Sequence, residues 1–267
     1  MIIVSFLFSI HFYADASSVD DSSQSLYVSA KSLLNELSKN QDFVLIDVRD
    51  KNEFEEYHIP DSINIPLYTI KTKGFLRDKR LVLINNGFNL KSLKETGEAL
   101  VSKGYSIRIL QGGLLAWQKA GGNLIGDAAG IKDINLISSE ELFSEISKDS
   151  GNIVVINLTS ASDNKTNIDL PGKVNVPVKD IKDIPVIVSD QIKKNGSNPY
   201  INLLITDKDG GEYETIDHAL SEYKDINIFY LRGGTNSYQA FLNKQAMLKN
   251  RKKIGVEKEN ECSTCSR

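Results

Sequence analysis

Both cysteines of this 267-residue chain lie near its C-terminus, as Cys262 and Cys265 in the segment "ECSTCSR". A C-x-x-C pair can form a reversible disulfide, exchange sulfur or electrons with a partner, or supply two thiolate ligands to a soft metal. Two ligands fall short of a structural zinc site, so the pair alone predicts no metal site. An inert terminal pair fits the same residues, and the sequence leaves these alternatives open.

A second stretch suited to chemistry is "VLINNGFNLKS" (82–92), in which an apolar strand runs into a polar loop and then a helix. Such loops often hold an anion, because the free N–H groups of the helix N-terminus point into them. This loop contains no nucleophile, but six of its residues are candidates for binding a ligand: Asn85, Asn86, Gly87, Asn89, Lys91 and Ser92. Lys91 either holds an anion or is a solvated lysine of the first helical turn.

The chain repeats one plan of segments in its two halves. The apolar runs "FVLIDV" (43–48) and "LVLINN" (81–86) return as "IVVINL" (153–158) and "NLLITD" (202–207). Continuous apolar runs of this length are typical of strands buried on both faces of a parallel sheet. Helical segments alternate with the runs, so the order predicts a duplicated α/β fold, each half a parallel sheet flanked by helices on both faces.

The helical segments "YVSAKSLLNEL" and "LISSEELFSEI" occupy equivalent places in the two halves, and Ser29 and Ser138 are positioned to cap them. Composition and repeat together predict five regions: a signal peptide at 1–16, a first domain at 24–122, a linker at 123–133, a second domain at 134–243 and a charged tail at 244–267. The tail contains the C-x-x-C pair and is expected to be mobile.

The N-terminal run "IIVSFLFSIHFY" is too short to span a bilayer and is followed by Ala14-Asp15-Ala16. This pattern predicts a secretory signal peptide and hence a periplasmic or secreted protein, although no Lys or Arg precedes the run. An upstream start and an uncleaved anchor remain alternatives. The net charge of −3 argues against a nucleic-acid partner.

The segments "LIDVRDKNEFEEYHIPDSINIP" and "ILQGGLLAWQKAG" resemble the two signatures of rhodanese-like sulfurtransferase domains. "LPGKVNVP" and "YLRGGTNSYQAF" in the second half resemble the family more weakly. The resemblance implies two tandem rhodanese-like domains. Asp47 and Arg49 lie where the family keeps a pair of residues at a strand end. We expect them to form a structural ion pair, with Glu53 beside it, and a ligand role is the alternative.

Active members of the family carry a C-x-x-G-x-R-S loop, whose cysteine holds sulfane sulfur as a persulfide. One register of that pattern places Asn86 at the cysteine and Lys91 at the arginine, and a shift by one residue places Asn85 at the cysteine. In the second half Asp207 and Glu212 take these places. Acidic side chains there oppose an anion, so that loop is a hydrophilic turn or a weak cation site. Neither loop has a thiol, and both are expected to be inactive.

These observations lead to one main hypothesis: an exported tandem rhodanese-like protein, inactive at both family loops, that binds or scaffolds in sulfur or redox metabolism. The alternative is a sulfurtransferase, a thiol-exchange enzyme or a soft-metal carrier that works through the C-terminal cysteines. The expected partner is an unidentified protein or a small sulfur-containing anion. No cofactor and no transmembrane segment are predicted.

Overall fold

The computed structural model describes residues 25–39, 41–146, 153–158, 174–178, 180–195, 202–223 and 226–264. The predicted signal peptide at 1–16 and Cys265 lie outside the described residues.

The first half alternates short strands and helices. Its elements are β1 (Tyr27–Val28), α1 (Ala30–Ser38), β2 (Val44–Asp47), α2 (Lys51–Glu56), β3 (Tyr57–His58), β4 (Ile63–Asn64), two 3₁₀ turns (Leu67–Thr72 and Gly74–Leu76), β5 (Arg80–Ile84), α3 (Leu90–Val101), β6 (Ser106–Leu110) and α4 (Gly113–Lys119). Two short elements follow, β7 (Ile125–Gly126) and α5 (Ala128–Lys132).

The second half follows the same plan. Its elements are β8 (Leu136–Ile137), α6 (Ser139–Ile146), β9 (Ile153–Leu158), β10 (Val174–Val178), a 3₁₀ turn (Ile181–Asp183), α7 (Ile184–Asn195), β11 (Asn202–Thr206), α8 (Tyr213–Ala219), β12 (Asn227–Leu231) and α9 (Gly234–Thr264).

Each half forms a five-stranded sheet in which all neighbouring strands are parallel. The strand order is β1-β6-β5-β2-β4 in the first sheet and β8-β12-β11-β9-β10 in the second, so equivalent strands occupy equivalent places. The central strands β5 and β11 are almost wholly buried, as their continuous apolar sequences predict. The predicted α/β fold, with parallel sheets flanked by helices, is confirmed.

Helix starts are set by side-chain caps at the positions that the sequence indicates. The Ser29 hydroxyl accepts a hydrogen bond from the Ser32 amide at the start of α1, and Ser138 does the same for the Glu141 amide at the start of α6. At α2, Asp50 and Glu53 form a reciprocal capping box. These caps fix the glutamates of two first turns, Glu53 and Glu141, in position.

The segment predicted as a linker, 123–133, has regular structure of its own. It contains β7 and α5, and β7 pairs antiparallel with β3 of the first half, with Tyr57 opposite Gly126. The segment is therefore attached to the first half along part of its length.

One hydrophobic cluster joins the two halves. Phe88, fully buried in the β5–α3 loop, meets Phe229 of β12 edge to face, with ring centroids 5.2 Å apart. Val82 and Leu114 of the first half belong to the same cluster as Leu204 of the second. Burial of this shared apolar surface holds the two halves together.

Helix α9 packs against the core near its start and is exposed further along. Phe241 and Leu242 still pack against the core, whereas Met247 is 65% exposed. The helix extends to Thr264 and so includes Cys262. Among the described helices, none combines the length and the apolar character needed to cross a membrane.

Candidate functional site

A pocket of about 260 Å³ opens where β5 runs into α3, at the loop that carries the predicted binding residues. Its walls come from both halves of the protein. The lining residues are Val48, Arg49, Glu53, Leu67, Asn85, Asn86, Asn89, Ser92, Leu93, Glu141 and Ser144. The structure thus brings four of the six predicted loop residues to one cavity, together with two predicted structural residues and two residues of α6.

The loop satisfies its own backbone donors. The side-chain oxygen of Asn85 accepts a hydrogen bond of 3.0 Å from the Gly87 amide, and that of Asn86 accepts one of 2.9 Å from the Phe88 amide. Such N–H groups are the donors with which a loop of this kind would hold an anion. Because asparagine oxygens already occupy two of them, this loop is poorly suited to an external anion.

The same loop is fastened to the second half by polar contacts. The Asn86 amide nitrogen donates a short hydrogen bond to Glu141 Oε1, while Glu141 Oε2 accepts from the Ser138 amide at 2.8 Å. From β11, the Asn202 side chain donates to the carbonyl oxygens of Gly87 and Phe88 at 3.1 and 3.2 Å. Asn85 and Asn86 are accordingly 6% and 8% exposed. The loop forms part of the contact between the halves.

Asp47 and Arg49 form a buried ion pair behind the pocket. Arg49 Nη2 lies 2.8 Å from Asp47 Oδ2 and donates a second bond, of 2.6 Å, to the Tyr57 carbonyl. Arg49 Nε contacts both carboxylate oxygens of Asp47. The remaining nitrogen, Nη1, is buried and has no hydrogen-bond partner in the described part of the chain. One nitrogen of a charged group is therefore buried without a hydrogen-bond partner among the described residues.

Two carboxylates from opposite halves, those of Glu53 and Glu141, line the pocket. The pKa of Glu53 is raised to about 7, mainly by burial and in addition by repulsion from Glu141 and Asp50, while attraction to Arg49 opposes the shift. Since Asp47 already neutralises Arg49, the lining has an excess of negative charge. An additional anion would be repelled there.

The second-half loop contains an anion of its own. The Asp207 carboxylate is 5% exposed and accepts hydrogen bonds from the Gly210 amide and, at 3.0 Å, from the Glu212 amide. Asp209 accepts another from the Gly211 amide at 3.1 Å. The backbone donors that an external anion would need are thus bound to carboxylates of the loop itself.

Hydrogen bonds to the following helix establish which residues of the two loops are equivalent. The Leu114 amide donates to the Asn85 carbonyl at 2.8 Å, and the Thr235 amide donates to the Asp207 carbonyl at 2.9 Å. A Cβ at Gly113 would overlap the Asn85 carbonyl, just as one at Gly234 would overlap that of Asp207. Asp207 therefore corresponds to Asn85, which is the shifted one of the two registers that the sequence allows.

The predicted residues Lys91, Ser92 and Cys262 lie on helices. Lys91 and Ser92 are in the first turn of α3 and both have interaction partners. Cys262 lies in the last turn of α9. The described residues contain no group of three or more His, Cys, Asp or Glu side chains arranged for a metal ion.

Sequence reasoning missed Glu141, Ser144 and Asn202. The pattern Ser138-x-x-Glu141 is a recognisable capping box, and it predicts a helix start correctly. The pattern does not show that the other carboxylate oxygen of Glu141, Oε1, faces Asn86 in the first half.

Comparison with known proteins identifies the first half. Residues 29–120 match the model of the rhodanese-like domain. Among curated proteins, a probable molybdopterin-synthase adenylyltransferase of Pyropia yezoensis is 32% identical over 95 residues, which is 34% of this chain and 24% of that protein. The thiosulfate sulfurtransferase GlpE of Pseudomonas syringae is 34% identical over 85 residues, which is 30% of this chain and 76% of that protein.

Two solved structures align with parts of this chain. A thiosulfate sulfurtransferase from Pseudomonas aeruginosa aligns with 19% identity and a TM-score of 0.34, over 80% of this chain and 42% of that one. A rhodanese-related protein from Thermoplasma volcanium aligns with 26% identity and a TM-score of 0.32, over 37% of this chain and 96% of that one. On the family match at residues 29–120 and the identity to GlpE, the chain belongs to the rhodanese-like family.

Proposed function

We propose that this protein is a tandem rhodanese-like binding module that carries out no persulfide chemistry at either family loop. One observation carries the proposal: the side chains that follow β5 and β11 are Asn85, Asn86 and Asp207, and each accepts hydrogen bonds from the backbone of its own loop. These side chains stabilise the loops instead of attacking a substrate.

The chemistry of the family needs a thiolate that takes up sulfur and a set of donors that hold the donor anion. An asparagine amide is not a nucleophile at neutral pH, and the Asp207 carboxylate accepts hydrogen bonds from two amides of its own loop. Both requirements are therefore unmet in both loops. What persists is a pocket between the halves, lined by amide, hydroxyl and carboxylate groups.

The module acts by binding or scaffolding in sulfur or redox metabolism, with a protein or a small sulfur-containing anion as its partner. The similarity to proteins named for thiosulfate sulfurtransfer supports the metabolic context. The negative lining of the first-loop pocket favours a partner other than a free anion at that site.

The test is thiosulfate-to-cyanide sulfur transfer, measured on the wild type and on the Cys262→Ser/Cys265→Ser variant beside the GlpE relative as a positive control. We expect no turnover above background in either form. Turnover that survives the double substitution would refute the proposal, because it would require a nucleophile in one of the two halves. Turnover lost on that substitution would establish the alternative, in which the C-terminal cysteines do the chemistry.

Export from the cytoplasm is a further part of the proposal, supported by the apolar run and the Ala14-Asp15-Ala16 sequence. The mature chain is then expected to begin at Ser17. N-terminal sequencing of native material decides the point, and a soluble cytoplasmic form that retains Met1 would contradict it.

A further inference from the structure

We propose that residues 68–80, here called the basic segment, dock the protein on an anionic lipid surface. The segment runs from the first 3₁₀ turn to the start of β5. It includes neither family loop, so this inference goes beyond the proposed function. The segment has one acidic side chain, Asp78, in a chain whose net charge is −3. Its basic residues are Lys71, Lys73, Arg77, Lys79 and Arg80.

Two aromatic side chains of the basic segment are exposed to solvent. Tyr68 is 75% exposed and Phe75 is 67% exposed, the highest values among the large hydrophobic residues that the structure describes. Exposed apolar side chains that lie together with polar ones mark surfaces that bind a protein or a membrane. The segment therefore offers apolar groups to a partner as well as charge.

The lysines of the basic segment are free to meet a partner. Lys71, Lys73 and Lys79 are exposed, and none of them forms an ion pair with another described residue. Ammonium groups near a membrane surface are attracted to the headgroups of anionic lipids. A local excess of positive charge on an acidic protein therefore selects an anionic partner for this surface.

The inward side of the basic segment is fixed to the first half. Ile70 and Leu76 are fully buried in the core of that half. Tyr105 contacts the segment twice, because its hydroxyl donates a hydrogen bond of 3.4 Å to the Lys71 carbonyl and the Arg77 guanidinium lies 5.6 Å from its ring centre. Since the backbone is held in this way, binding through the exposed side chains requires little additional ordering of the chain.

An anionic bilayer fits this combination better than other acidic partners do. A nucleic acid or an acidic protein would pair with the lysines, but Tyr68 and Phe75 would each need a stacking or apolar site on it. A bilayer interface accepts both kinds of group, because aromatic rings lie at the level of the headgroups and lysine side chains extend to the lipid phosphates. With so few groups in contact, the binding is expected to be reversible.

The test is co-sedimentation of the full chain with lipid vesicles at low ionic strength. Vesicles of phosphatidylcholine alone are compared with vesicles in which phosphatidylglycerol replaces part of the phosphatidylcholine. We expect at least tenfold tighter binding to the anionic vesicles and a decrease in binding as the salt concentration rises, because the charges are exposed. Absence of binding to the anionic vesicles, or equal binding to both kinds, would refute the inference.

Two double variants locate the contact. Lys71→Gln/Lys73→Gln removes two of the free charges, and Tyr68→Ser/Phe75→Ser removes both exposed rings. Each is expected to weaken binding to anionic vesicles at least tenfold. If only the lysine variant loses binding, the attraction is one of charge alone, such as any acidic macromolecule would feel, and the lipid assignment is wrong.

Matched control variants change equivalent side chains elsewhere. Lys51→Gln/Lys244→Gln removes the same formal charge from exposed lysines of α2 and α9, and Met247→Ser removes an apolar side chain that is 65% exposed. Both should bind anionic vesicles as the wild type does. If the control lysine variant loses as much binding as Lys71→Gln/Lys73→Gln, the total charge of the protein determines binding, and the inference is refuted.

Insertion of the aromatic residues is measured by fluorescence. Phe75→Trp adds a second tryptophan to a chain whose own, Trp117, is 4% exposed and so gives a constant background. We expect a blue shift of the added emission with anionic vesicles, and none for Met247→Trp. Unchanged emission of Phe75→Trp in the vesicle-bound protein would show that the segment does not enter the interface, and the inference would then be wrong.

Discussion

The Asn86 side chain donates a hydrogen bond to Glu141 although 55 residues separate the two along the chain. One partner lies in the loop where the family keeps its chemistry, and the other caps the first helix of the second half. Through this hydrogen bond, a loop of the first half forms part of the contact with the second half. The bond also places a carboxylate beside Asn86, one of the two positions at which the family pattern can have its cysteine.

This contact predicts how a thiol introduced at the loop would behave. In a Cys262→Ser/Cys265→Ser background, Asn86→Cys places a thiol beside Glu141, whose negative charge raises the thiol pKa. We expect slow alkylation by iodoacetamide at pH 7, and several-fold faster alkylation when Glu141→Gln is added. The rate should be measured as a function of pH.

The matched control for that thiol is Asn86→Cys with Glu55→Gln, which removes an exposed charge of the first half. Its alkylation rate should equal that of Asn86→Cys alone. Equal rates with and without Glu141→Gln would show that Glu141 does not act on the loop.

Glu53 predicts a pH dependence of stability. Its folded pKa of about 7 lies above the ordinary value of 4.5, so the folded protein binds the proton more tightly than the unfolded chain does. The stabilisation is full below pH 4.5 and is lost as the pH rises through 7. Arg49, Asp50 and Glu141 are the charged groups that act on it most strongly. The effect on the free energy of unfolding should be about 1–3 kcal/mol.

The measurement is urea unfolding of the wild type and of Glu53→Gln at pH 5 and pH 8. Gln cannot titrate, so the variant should gain stability relative to the wild type between these two values. The free energy of unfolding of Glu55→Gln should change between pH 5 and pH 8 by the same amount as that of the wild type. If the free energy of unfolding of Glu53→Gln also changed with pH as that of the wild type does, the pKa of Glu53 would be the same in the folded and unfolded chain.

Asp207 is predicted to be a structural anion of the second loop. Asp207→Ala removes the acceptor of two backbone amides, those of Gly210 and Glu212, and should lower the free energy of unfolding by about 2–4 kcal/mol. Asp209→Ala is the control, because Asp209 caps only the Gly211 amide at an exposed site, and its effect should stay below about 1 kcal/mol. Thermal and denaturant unfolding measure both. Similar losses in the two variants would contradict the assignment.

Phe88 and Phe229 are predicted to couple the two halves. Phe88→Ala should destabilise the protein by about 3–5 kcal/mol, because the ring is fully buried. In a double-mutant cycle of Phe88→Leu and Phe229→Leu, the edge-to-face contact should appear as a coupling of about 0.5–1.5 kcal/mol. Additive losses within about 0.3 kcal/mol would show that the rings stabilise their own halves independently.

The sequence by itself determined the local parts of this protein. Apolar runs such as "FVLIDV" predict buried strands because a parallel sheet buries both faces, and Ser29 and Ser138 predict helix starts because a cap needs only residues three positions apart. The absence of a thiol in either loop is equally a property of the sequence. None of these conclusions depends on distant residues.

Only the tertiary structure decided what the loops contact. The sequence predicts Asn86 as a candidate ligand-binding residue of a polar loop, whereas packing of the second half buries it and supplies Glu141 as its partner. The one-residue shift that matches Asp207 with Asn85 likewise appears only in the hydrogen bonds to Leu114 and Thr235. The physical reason is that a side chain's charge environment and burial depend on groups brought close by packing, and a linear pattern does not specify which distant groups these are.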